Sequence, residues 1–516
     1  MMDRKWWTLG TVGIGLFMLL LDITIVNVAL PDIQRQLHAS ISDLQWVIDA
    51  YALTLGALML TAGSLADLFG RKRLFAIGIS IFTLGSALCG AAQSPLFLAL
   101  ARAGQGVGGA IMFATSLAIV ANAFRGPERG IAFGVFGAIT GVATALGPVI
   151  GGAITSGLSW RWIFFVNIPI GVAAFALTLL RVDESRDANA SRLDWLGFVT
   201  FAPGLGLLVY GLIQANTHAW GSTRVVSSLA AAGVLLLLFV VVELLQRRPM
   251  FDMSLLKVPT FDGALAAAFA MNGSLFTMLT FLVLYLQNVL NLSPIATGVR
   301  LLVLSGAVFL SAGIAGRLTT KVPARLLIGG GFVLVGIGIL LMRGISSSSS
   351  WTHLVPGFIV AGIGAGFVNT PLASVAVGVV EPSRAGMASG INSTFRQVGL
   401  AAGVAAIGSI FAGHIRTQVA SSLVGTPAAA HAHQIASAVA TGRVGRAIAH
   451  APVGVRGQLA HTSTLAFVHS LNEILLIAGV VAFVGAALSF ALIRSVDLVE
   501  ESAPEGREAW AGAASA

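Results

Sequence analysis

Between residues 8 and 494 one pattern recurs: a run of roughly twenty mostly apolar positions, enough as a helix to cross the hydrocarbon core of a bilayer, then a short polar break. The runs fall near 8–28, 45–66, 74–93, 96–122, 131–154, 162–180, 195–214, 225–245, 261–286, 295–316, 326–343, 354–380, 386–412 and 468–494, which predicts fourteen membrane helices. The first run is too long for a signal peptide, carries an acid and has no A-x-A-like cleavage site before the next span, so it is expected to stay as an anchor.

Composition narrows the class. Of 516 residues, 56% are apolar and 10% charged, and the mean hydropathy is +0.90; these values exclude a water-soluble globular chain and leave an all-α polytopic membrane protein. The formal charge of +9 implies no nucleic acid, because the basic residues are scattered over many loops. They are also biased to one side. Arg4, Lys5, Arg71, Lys72, Arg73, Arg125, Arg129, Arg247, Arg248, Arg317, Lys321 and Arg384 fall in alternate loops, whereas the short loops between them hold Arg35, Arg161, Arg224 and Arg343. The positive-inside rule then places both termini in the cytoplasm. Trp6, Trp7, Trp46, Trp160, Trp162, Trp195, Trp220 and Trp351 fall at span ends, where an interfacial belt is expected. The single Cys89 forms no intrachain disulfide. The nine histidines map to outer loops or span ends, against a buried histidine relay; His431 and His433 read as solvated surface, and no metal or cofactor is expected.

Internal repetition divides the chain. GSLADLFGRKRLFAIG (63–78) is echoed by GRLTTKVPARLLIGG (316–330), AGQGVGG (103–109) by AGIGAGF (361–367), and PERG (127–130) by PSRAG (382–386), at offsets of 253, 258 and 255. A nearly constant offset predicts two homologous six-helix halves. The expected units are 1–181, an N-terminal six-helix bundle; 182–260, two inserted membrane helices with their loops; 261–495, a C-terminal six-helix bundle with a long outer loop 413–466; and 496–516, a cytoplasmic tail. Where the first half has Asp67 and Arg102, the second has Thr320 and Val360.

GSLADLFGRKR resembles the loop signature of the major facilitator superfamily, with Gly63, Asp67, Gly70, Arg71 and Lys72 on the motif positions. LALARAGQGVGGA (98–110) is similar to its fourth-helix motif through Arg102, Gln105 and Gly106. GVATALGPVIGG (141–152) resembles the fifth-helix antiporter motif, with Gly141, Gly147, Pro148, Gly151 and Gly152, and LDITIVNVALP (21–31) with WRWIFFVNIPIG (160–171) resembles the fourteen-helix drug:proton antiporter branch. WVIDAYAL (46–53) is similar to second-helix sequences of exporters for lipophilic cations; relatives of that kind carry acids in the helix that here reads GMASGINSTFRQVG (386–399), where this chain offers Asn392, Ser393 and Gln397. The resemblance implies a major facilitator fold and a proton-coupled antiporter that exports hydrophobic, cationic drugs or toxic compounds by alternating access, an antibiotic-resistance function without cofactor. Proton-coupled uptake of a small solute is the alternative.

Physics weights the same residues. An ionisable side chain near a helix centre costs about 2.5–3.5 kcal/mol to insert, so it is expected to face the bundle interior or a cavity and mark a path for ions or substrate. Asp22 and Asp49 are the acids well inside spans. Asp22 is assigned the coupling proton and Asp49 either coupling or recognition of substrate charge, the alternative for each being a hydrogen-bonded packing residue. Arg102 is the countercharge, with Gln105, Gly106 and Gly109 on its helical face; a static ion pair is its alternative. Asp67 with Arg71 is expected to form an ion pair that locks one conformation, or else the basic cluster only enforces topology. GQGVGG (104–109) lies within an apolar helix with no preceding strand, which excludes a dinucleotide site. Arg396 is expected to snorkel at a span end. Small substrate, protons and lipid are the expected partners, and the chain is expected to be a monomer.

Overall fold

The computed structural model describes residues 3–39, 41–186, 194–215, 220–246, 251–319, 321–381, 384–422 and 456–497; of Asp49 and Pro148 it describes the helix backbone but not the side chain. Apolar runs become helices, and Ser and Pro set where several begin. Ser94, Ser222 and Ser293 accept the backbone N–H three residues on, each ahead of a membrane helix, and prolines fill the first turn after Ser94 and Ser293.

The N-terminal half comprises α1 (Arg4–Gln36), α2 (Ile41–Phe69), α3 (Arg71–Gly90), α4 (Pro95–Ala123), α5 (Pro127–Gly157) and a sixth span broken into α6 (Trp162–Phe165) and α7 (Asn167–Arg181). Next come α8 (Trp195–Gln214) and α9 (Thr223–Leu245). The C-terminal half opens with α10 (Pro259–Met271) and α11 (Thr277–Leu284), joined by a π-turn over Asn272–Phe276 and followed by another over Tyr285–Val289. It continues through α12 (Pro294–Leu318), α13 (Ala324–Leu341), α14 (Val355–Gly378), α15 (Ala385–Ser422) and α16 (Arg456–Leu492). The described residues contain no strand.

Twelve described helices are long and apolar enough to cross a membrane, and up to thirteen when α2, bent by 52° near residue 60, counts as one span. This falls short of the fourteen predicted; α5, the fifth predicted span, is a 31-residue helix outside that count. The outer loop expected over 413–466 is shorter than its sequence suggests, because α15 runs on to Ser422 and α16 begins at Arg456. Residues 423–455, with His431 and His433, and the tail from 498 lie outside the described residues.

The halves meet along α5 and α12. A Cβ on Gly130 would lie 2.6 Å from the Gly316 carbonyl oxygen, one on Gly141 would lie 3.1 Å from Val308, and Gly152 faces Ile295 at the far end. The inserted pair leans on both halves: Phe201, Leu205, Val209 and Phe239 share a core with Val379, Val380, Met387 and Ile391, and Trp46 of α2 stacks on Tyr210 at 5.9 Å.

Candidate functional site

Asp22 sits inside the N-terminal half with no exposure, and each of its oxygens is met by nitrogen donors from other helices. Arg102 Nη1 donates to Oδ2 at 2.5 Å, while Gln105 Nε2 and Asn167 Nδ2 donate to Oδ1 at 3.0 and 3.1 Å. The helical spacing i, i+3 puts Arg102 and Gln105 on one face of α4, and the break between α6 and α7 brings Asn167 in from the other side. Asn167 also donates to Ser86 Oγ at 3.0 Å, and Ser86 in turn donates to the Phe164 carbonyl at 2.9 Å.

Arg102, which stays protonated in any protein environment, does not depend on Asp22 alone. Its Nη1 reaches Gln105 Oε1 at 2.8 Å, its Nε donates to the Val47 carbonyl at 3.1 Å, and its guanidinium carbon lies 4.1 Å above the centre of the Tyr51 ring. Loss of the carboxylate's charge would therefore leave the cation a dipole, a carbonyl and an aromatic face. The sequence singled out Asp22 and Arg102 because charge stands out in an apolar run. Asn167 and Tyr51 it passed over, although FVNIPIG carries a lone amide in the middle of such a run. Asp49 lies on α2 with its side chain outside the described residues.

A second cluster ties the halves together at the end bearing the basic loops. Gly63 is buried on α2, one turn above Asp67. Asp67 Oδ1 accepts from Arg71 Nη2 at 2.7 Å and Nε at 3.0 Å, both side chains being buried, and Oδ2 accepts from the Met387 backbone N–H at 2.8 Å. Met387 lies in the first turn of α15, so the carboxylate also meets the positive end of that helix. Gly70 separates α2 from α3 with φ of 105°, a left-handed conformation open to glycine. The Glu184 carboxylate sits against Gly70 and accepts the N–H groups of Lys72 (3.1 Å) and Arg73 (3.3 Å), while Lys72 Nζ donates to the Leu179 carbonyl at 2.9 Å. Ser389 Oγ adds a second link between halves, donating to the Ala114 carbonyl at 2.9 Å.

The glycines of α5 divide between two faces. Gly147 and Gly151 receive Thr24 and Ile25 of α1, whereas Gly141 and Gly152 receive α12, so α5 is a wedge between the helix carrying Asp22 and the opposite half. Beside this wedge lies a cavity lined by Gly137, Thr140, Leu275, Phe276, Ser305 and Asn369 among others, mostly apolar.

Two expectations need correction. Arg396 does not snorkel at a span end: it lies eleven residues into α15, half-buried, and donates to Asn392 Oδ1 and Asn369 Oδ1, both at 3.1 Å. Trp160 is not a belt residue; it is fully buried, its Nε1 donating to Gln36 Oε1 at 3.0 Å with Arg161 stacked over the ring at 4.4 Å. No group of three or more His, Cys, Asp or Glu able to hold a metal occurs among the described residues.

Paired helical halves, a buried charge pair in one of them and a largely apolar cavity between them describe a multi-pass membrane protein, and the comparisons with known proteins place it among transporters. The model of the Major Facilitator Superfamily matches residues 12–404, and the chain belongs to that family. It is 39% identical over 406 residues to "Multidrug resistance protein Stp" of Mycobacterium tuberculosis, covering 78% of this chain and 75% of the relative. With "Puromycin resistance protein pur8" of Streptomyces alboniger it shares 36% over 450 residues, 85% of this chain and 89% of the relative. "Drug efflux pump JefA" of Mycobacterium tuberculosis is 34% identical over 414 residues, 80% and 81% of the two chains. Among solved structures, the human organic anion transporter MFSD10 (TETRAN) superposes with a TM-score of 0.59 over 93% of this chain and 100% of its own, at 14% identity, a likeness of fold alone.

Proposed function

We propose that this chain is a proton-driven exporter of hydrophobic compounds, including drugs, that works by alternating access in the bacterial plasma membrane as a fourteen-span monomer with both termini in the cytoplasm. It takes its energy from the proton gradient without a cofactor. Export of drugs is supported by the relatives named for multidrug resistance and efflux. Proton coupling rests on one observation, the Asp22 carboxylate held by Arg102, Gln105 and Asn167 while Arg102 keeps alternative partners. Protonation of Asp22 removes the charge that draws Arg102 in, the pair loosens, and α1 is freed to move against the α5 wedge and so against the other half. Substrate arriving from the inner side favours the opposite change, so proton and drug occupy the cycle in turn. A positive group on the substrate is met by Asp49. The pair of Asp67 with Arg71 and the first turn of α15 holds the inner face shut and parts when that face opens.

Asp22→Asn, which imitates the protonated form, should fold, reach the membrane and lose export driven by a pH gradient. Substrate-induced proton release from the purified protein, measured beside efflux from proteoliposomes, tests this: a normally expressed Asp22→Asn protein that still releases protons and pumps removes Asp22 from the mechanism. Inward accumulation of dye down the same gradient would favour proton-coupled uptake instead.

A further inference from the structure

The half that lacks counterparts of Asp67 and Arg102 keeps a cation in its interior, and the two amides that hold that cation are turned one way. A guanidinium has five N–H donors and no acceptor, so an amide can meet it only through its oxygen. Arg396 Nη1 takes Asn369 Oδ1 and its Nε takes Asn392 Oδ1, each at 3.1 Å. Both Nδ2 groups are thereby fixed away from the arginine. Asn392 is 1% exposed and its Nδ2 has no hydrogen-bond partner. Asn369 lines the cavity between α5, α12 and α14, and its Nδ2 makes no hydrogen bond among the described residues. The other polar groups of that wall are differently disposed: the hydroxyls of Thr140 and Ser305 donate to the carbonyls of Phe136 and Leu301 on their own helices. Among the described residues Arg396 forms no ion pair. Of Asn369, Asn392 and Arg396 only Asn369 lines the cavity, so the wall offers its N–H donors, backed by the positive charge of Arg396, where buried donors are expected to find acceptors.

We propose that Asn369, held by Arg396, which Asn392 also binds, is a donor subsite that takes an acceptor oxygen of the exported molecule, a carboxylate or phenolate most strongly and a carbonyl less so. Asn369 contacts the ligand; Arg396 is a positioning residue that locks the amide and supplies the field. The part of the substrate seated here, against Leu275, Phe276 and Leu279, is then an apolar ring system ending in an anionic or carbonyl oxygen, whatever positive group it carries elsewhere for Asp49. This deepens the proposed export of hydrophobic compounds by taking the cavity as their seat, and rests on that reading.

Two dyes built on one xanthene ring system separate the possibilities: fluorescein, which is anionic, and rhodamine 123, which is cationic. Binding to the detergent-solubilised full chain is followed by fluorescence polarisation with no gradient present. The isosteric Asn369→Asp replaces the donor by an acceptor and should weaken fluorescein by about tenfold or more while tightening rhodamine 123. Arg396→Met, which lets the amide turn, should weaken fluorescein in the same direction. Because the readout is a reciprocal shift, general misfolding cannot imitate it. A wild-type protein that does not bind fluorescein, an Asn369→Asp change that moves both dyes alike, or no change in either overturns the subsite. Wild-type binding of fluorescein without its export under a pH gradient would instead overturn proton-driven export and leave the subsite standing.

Discussion

Asp22 and Arg102 stand 80 positions apart in the chain and 2.5 Å apart in the fold, with 0% and 2% of their side-chain surfaces exposed. Taking away Arg102 strands the buried Asp22 carboxylate, at a cost of about 3–5 kcal/mol, whereas taking away both charges removes the problem. Arg102→Met is therefore expected to lower the thermal midpoint of the solubilised protein markedly, and the double variant Asp22→Asn with Arg102→Met to recover most of that loss without recovering transport. A Trp-fluorescence melt beside a transport assay checks it; a double variant as unstable as Arg102→Met alone would mean that packing, not charge, carries the pair. At this scale the sequence was legible in its charges and silent on its amides. An aspartate within LLLDITIV cannot be there for solubility, while the amide of FVNIPIG carries no charge to mark it out. Arg396 was misread for a related reason: its charge was visible, but the two groups that hold it inside the bundle, the side-chain oxygens of Asn369 and Asn392, are neutral amides.

Helices were legible wherever apolar runs ended at breaks that also end the helix, as at Gly70 or Ser94, and illegible where the helix outlasts the apolar run. Residues 413–422 and 456–467 turn polar but contain no proline, so α15 and α16 outrun limits read from hydropathy. The π-turns on either side of α11 were equally hidden, because each adds a residue to a turn without changing the hydropathy. One contact between elements invites a pH experiment. Asp252, just before α10, pairs with Arg384 at the start of α15 at 2.9 Å. Burial pushes its carboxyl up, but hydrogen bonds from Ser254 and the charge of Arg384 outweigh this and hold it below its ordinary value of 3.8. A lowered folded value means the pair stabilises above the unfolded value, and the contribution is lost as pH falls through the folded one. Asp252→Asn should thus melt slightly below wild type near neutral pH, and the two curves should converge in acid below 3.8. Curves separated by the same amount at every pH would show that the charge plays no part.

At the scale of the molecule, repeats at nearly constant offsets already betrayed two halves, and unequal retention of charge betrayed that they are not equivalent. What the offsets could not convey is how the halves touch, since the contact depends on which face each glycine of α5 presents. Orientation, too, is a molecular property. A C-terminal green fluorescent protein fusion should glow and a C-terminal alkaline phosphatase fusion should be inactive, while phosphatase placed after residue 440 should be active. The opposite pattern would invert the topology and put the Asp67 latch outside. The seam between α5 and α12 has a mechanical meaning as well. Two rods in contact from Gly130 and Gly316 at one end to Gly152 and Ile295 at the other can roll on each other but not separate at both ends. The place where Gly141 meets Val308 then acts as the fulcrum of a seesaw: with arms of roughly 15 Å, about ten residues of helix, a tilt of about 20° moves an end by about 5 Å. That is one side chain's width, so a single steric change at the fulcrum would be magnified at both mouths.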